Sequence, residues 1–113
     1  MVDEKLVLFN KPIIVVTRNP KEDAVNAAFA TVYAVPGRYV RVKGAGFYPG
    51  KRVNFTICEE DKKIKETAVA NKCGAFEVII KLPASISAYN VVSLKAWIDE
   101  KPQAAWPLDL VKA

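Results

Sequence analysis

From Thr31 onward, apolar side chains return at every second position in short runs, and each run is cut off by turn-forming residues. A helix repeats its faces every 3.6 residues and a strand every two, so this pattern predicts strands with one face on a core and one in water. Residues 31–35 are β-rich and stop at Pro36-Gly37, a turn dipeptide. Residues 38–43 put Val40 and Val42 inward and Tyr39, Arg41 and Lys43 outward. Residues 51–58 repeat this with Val53, Phe55 and Ile57 inward and Asn54, Thr56 and Cys58 outward, and a charged turn is expected over 59–63. A weaker run over 64–70 ends at Asn71-Lys72-Cys73-Gly74. Residues 75–82 alternate through Phe76, Val78, Ile80 and Leu82 before Pro83, and residues 89–99 through Val92, Leu94, Ala96 and Ile98. Residues 104–111 close the chain with Trp106, Leu108 and Leu110 inward. Pro107 has no amide donor, which predicts an edge facing solvent or a local bulge there. The pattern amounts to about seven antiparallel strands with regular turn spacing, as in an all-β sandwich.

The first thirty residues follow other rules. Residues 6–17 are apolar but broken at Asn10-Lys11-Pro12, enough for one or two strands, while 21–30 suit a short helix or a loop. The chain therefore divides into an N-terminal arm over 1–30, which extends a sheet or reaches a neighbour, and a sandwich over 31–113.

At 113 residues the chain is one domain's worth, with 51% hydrophobic and 26% charged residues. It contains no histidine and only two cysteines, Cys58 and Cys73. That removes every Ser-His and Cys-His nucleophile pair and a four-thiolate zinc site within the chain, so no catalytic residue, metal or cofactor is expected. The net charge is +5, and all of the excess falls after residue 37, because Lys5, Lys11, Arg18 and Lys21 are balanced by Asp3, Glu4, Glu22 and Asp23. Such a field favours acidic partners without specifying one. The charged start is unlike a signal peptide, and no apolar run is long enough to span a membrane.

The most specific motif is Gly44-Ala45-Gly46-Phe47-Tyr48-Pro49-Gly50, with Pro49-Gly50 suited to the central positions of a type II turn. With Pro36-Gly37 before it, and Gly74-Ala75-Phe76, Leu82-Pro83, Tyr89 and residues 108–111 after it, the motif resembles the immunoglobulin-like repeats of bacterial and archaeal surface and secreted proteins. The resemblance covers residues 31–113. It implies an immunoglobulin-like β-sandwich that serves as a structural or interaction module on a cell envelope. Similar modules decorate phage and virus capsids or tails, a setting that needs no export signal.

Other motifs weigh less. Seven strand residues at roughly 3.3 Å each put Cys58 and Cys73 about 20 Å apart, whereas bridged α-carbons lie within about 7 Å, so no disulfide is expected. The stretch Gly44 to Lys51 has Ala45 where a phosphate-binding loop needs glycine, and Arg52 where it needs Ser or Thr. Glu59, Glu60 and Asp61 lack the alternating oxygen spacing of a calcium loop. The sequon Asn54-Phe55-Thr56 falls inside a strand. Arg38, Arg41, Lys43, Lys51 and Arg52, interleaved with Tyr39, Phe47 and Tyr48, admit a nucleic-acid-binding, OB-like barrel as an alternative. A carbohydrate-binding accessory module is another, but only Trp97 of the two tryptophans points outward. The preferred expectation is a non-enzymatic module that contacts capsid, tail or envelope protein, or itself through the arm. Its contact candidates are Phe47, Tyr48, Lys51, Arg52, Trp97 and Pro107.

Overall fold

The computed structural model describes residues 11–17 and 32–111, and over them the protein is all-β with two sheets, compatible with a β-sandwich. The smaller sheet has β1 (Ile13–Thr17), β3 (Tyr39–Ala45) and β7 (Phe76–Lys81) in the order β1-β3-β7, all antiparallel. The larger follows the order β2-β9-β8-β4-β5, from β2 (Val32–Ala34), β9 (Lys101–Leu110), β8 (Val91–Ile98), β4 (Arg52–Ile57) and β5 (Glu59–Lys63). A short β6 (Ala68–Val69) pairs with the start of β4. The β2–β9 pairing is parallel, and the others are antiparallel.

Alternation builds the core. Val40 and Val42 of β3, Val53, Phe55 and Ile57 of β4, Leu94 and Ala96 of β8 and Leu108 of β9 are buried, joined by Ile14 and Val16 of β1. Each fully buried aliphatic or aromatic side chain contributes about 1.5–3 kcal/mol by leaving water. The two layers meet at an aromatic cluster. The Phe76 ring lies edge-on to Phe55 of the opposite sheet at 5.9 Å between centroids, and to Phe47 at 5.0 Å.

Both Pro-Gly turns form as the sequence predicts. The Arg38 amide donates to the Val35 carbonyl and the Lys51 amide to that of Tyr48, with Gly37 and Gly50 at positive φ as type II requires. The Asn71 turn is held by its own side chain, whose Oδ1 accepts from the amides of Cys73 (2.9 Å) and Ala75 (3.0 Å). Cys58 is half-buried, Cys73 is exposed, and the two are not bridged.

Residues 13–17 of the arm pair along β3, extending the smaller sheet, and place Ile14 and Val16 in the core. Three expectations need correction. Of the eight described strands from residue 32 on, β2 is parallel to its neighbour β9 rather than antiparallel. The expected turn over 59–63 is β5, an edge strand that reverses at Cys58, where φ is 66°. Charged residues suit a strand edge, which explains why its composition read as a turn. The weak run over 64–70 yields only the two-residue β6, while residues 84–88 form an unexpected 3₁₀ turn that buries Ile86. The possible helix over 21–30 lies outside the described residues.

Candidate interaction surfaces

One end of the sandwich gathers the 46–51 loop, the 71–75 turn and the β8–β9 hairpin. Phe47, expected as a contact, is withdrawn from the surface: its ring is buried against Phe76, and its amide donates to the Gly74 carbonyl at 3.0 Å. It is the anchor of the loop and presents nothing to a partner. Gly74 is required there, since its φ is +76° and a side-chain carbon would stand 2.5 Å from the Phe47 carbonyl oxygen. The far side of the loop is held by the Gly50 amide, which donates to Ala70 O at 2.8 Å. Between these anchors Tyr48 projects at 70% exposure. Lys51 is exposed and stands 4.0 Å from the Asp99 carboxylate, and the exposed Arg52 donates to Thr67 Oγ1 at 3.1 Å. Tyr48, Lys51 and Arg52 therefore share one end of the molecule on a braced loop.

Trp97 stands on the outer face of the larger sheet, two residues before the Asp99-Glu100 turn of the same hairpin. It pairs across from Asn54, and its indole N–H donates to Thr56 Oγ1 at 2.8 Å. This corrects the expectation that Thr56 meets water: the hydroxyl is on the outer face, but the indole covers it and leaves Thr56 5% exposed. Beside the ring a groove of about 440 Å³ is bordered by Asn54, Thr56, Lys63, Ile64, Trp97 and Glu100. Glu100 closes it from a two-residue hairpin turn, Asp99-Glu100, between the paired Ile98 and Lys101. Both turn residues have positive φ, 51° and 76°, the conformation of a type I′ turn, where glycine or asparagine is usual. The groove residues Lys63 and Glu100 carried no sequence signal, since register and the turn bring them beside Trp97.

Pro107 is exposed on β9, which is flanked by β8 throughout and by β2 over its last residues, so β9 is not a simple edge. The direction of its amides still explains the proline. The Leu110 amide donates toward β8, to Asn90 O, and the Val111 amide toward β2, to Ala34 O. Amides alternate along a strand, so the missing donor of Pro107 faces the β2 side, where the described pairing begins only at Leu108.

The five cations between residues 38 and 52 do not converge. Arg41 and Lys43 stand on the outer face of the smaller sheet, where Arg41 Nη1 pairs with Glu77 Oε2 at 3.2 Å and its Nε donates to Thr17 Oγ1. Arg38 lies in the turn at one end of β3, and Lys51 and Arg52 lie beyond the other. Among the described residues no three cysteine or carboxylate side chains gather as metal ligands, and no helix is long and apolar enough to cross a membrane. No protein-family model matches the chain, and no curated protein is similar to it in sequence.

Proposed function

We propose that the chain is a non-catalytic, immunoglobulin-like structural or interaction module acting on an exposed surface, of a virion or a cell envelope, with the 46–51 loop as its contact. Strand order supports the immunoglobulin-like reading. In that fold's lettering β1, β3 and β7 correspond to A, B and E, and β9, β8 and β4 to G, F and C, with β5 as C′. The departure is β6, at the place of strand D, which pairs with β4 rather than with β7.

The observation that carries the functional reading is the pinned loop. An aromatic side chain, 70% exposed, stands between two backbone anchors and above a buried phenylalanine. A tyrosine held this way offers a large contact at small entropic cost, the economy that recognition loops use. Lys51 and Arg52 beside it favour an acidic protein surface.

The test is attachment. The purified full chain, fluorescently labelled and added to source cells and to the particles they release, is expected to bind one of them saturably. The triple variant Tyr48→Ala, Lys51→Glu, Arg52→Glu is expected to keep its circular dichroism spectrum and to bind at least about tenfold more weakly, the loss of a few contacts at about 1.4 kcal/mol per decade. Equal attachment of the two proteins, or attachment of neither, overturns the reading.

A further inference from the structure

The groove beside Trp97 has two properties that suit a ligand. Its aromatic ring is fixed in place, because the indole N–H is committed to the covered Thr56 hydroxyl at 2.8 Å. Its rim carries an amide, an ammonium and a carboxylate, from Asn54, Lys63 and Glu100.

We propose that this groove binds a neutral mono- or disaccharide, with Trp97 as the stacking platform and Asn54, Lys63 and Glu100 as the hydroxyl contacts. A pyranose presents an apolar C–H face and an edge of hydroxyls, each both donor and acceptor. The groove answers both: an indole for the face, and around it an acceptor (Glu100), a donor (Lys63) and a group that is both (Asn54). Its volume of about 440 Å³ suits a small ligand. The opposed charges of Lys63 and Glu100 argue against an anion or a cation as the ligand, since each would meet one repulsive partner. A single indole is also no aromatic cage for a quaternary ammonium. This site meets the loop at the Asp99-Glu100 turn, but its proposed contacts, Trp97, Asn54, Lys63 and Glu100, are not the loop's, and its test reads sugar binding rather than attachment.

Trp106 is the only other tryptophan, and its buried indole N–H makes no hydrogen bond among the described residues. Trp106→Phe therefore removes no partner and leaves Trp97 as the sole indole reporter. In that background, titration with cellobiose, maltose, lactose and N,N′-diacetylchitobiose is expected to give a saturable change in Trp97 emission for at least one sugar, with Kd of about 1 mM or tighter. Asn54→Ala is expected to weaken that binding about tenfold without changing the melting temperature. Glu100→Gly relieves the turn, and is expected to weaken binding while raising the denaturant midpoint, a pair of effects that misfolding cannot produce. No saturable response in that range, a response confined to sulfated or uronic-acid sugars, or equal binding by both variants overturns the proposal.

Discussion

Gly44 shows how far a single hydrogen in place of a methyl can govern this fold. A side-chain carbon there would lie 2.8 Å from Cδ2 of Phe76 and closer still to Cε2 and Cζ. The ring has little freedom to retreat, because Phe47 holds it from one side and Phe55 from another. Gly44→Ala is therefore expected to destabilise the protein by about 1–3 kcal/mol, the range for overpacking a filled core. In a Phe76→Leu background the same substitution is expected to cost about 1 kcal/mol less, because the obstructing ring is gone. Urea midpoints of the four proteins give the coupling, and equal costs in both backgrounds would show that the ring is not the obstacle. The Asp99-Glu100 turn is the opposite case, a residue pair kept where glycine would fit the backbone better.

At the scale of elements, what the sequence disclosed depended on whether local chemistry or tertiary pairing decided the outcome. Strands β3, β4, β7 and β8 were legible because each has one greasy and one wet face, and both Pro-Gly turns were legible because proline and glycine set φ directly. Strand β5 was not, since an edge strand of acids and lysines has no inward stripe to read. The start of β9 was missed because a two-residue turn at Asp99-Glu100 lacks the glycine that announces such hairpins. For the candidate sites, Tyr48, Lys51 and Arg52 were visible in the motif, whereas Lys63 and Glu100 reach Trp97 only through register. The amide directions on β9 yield an expectation of their own. Pro107→Ala should change stability by no more than about 0.5 kcal/mol, because no ladder bond is gained toward β8. Leu108→Ala, one residue on and fully buried, should cost about 2–5 kcal/mol. A large loss at Pro107 in chemical denaturation would mean that the ladder runs in the other phase.

For the whole molecule, two sheets of unequal width share one interior, and the parallel joining of β2 to β9 ties the early chain to the last strand. The braced loop and the Trp97 groove adjoin at the Asp99-Glu100 turn, where Lys51 of the loop stands 4.0 Å from Asp99 and Glu100 closes the groove. Both depend on the layers closing as described, since the loop anchor Phe47 and the β4 strand under Trp97 are held through the Phe76 cluster. The most direct measurement is a nuclear Overhauser spectrum of the isotopically labelled full chain. A closed two-layer core predicts cross-peaks between the ring protons of Phe55 and Phe76, whose centroids lie 5.9 Å apart on opposite sheets, together with Val32–Leu108 backbone contacts of a parallel pair. Well-resolved Phe55 and Phe76 resonances with no contact between them, or an antiparallel pattern at Val32, would contradict it.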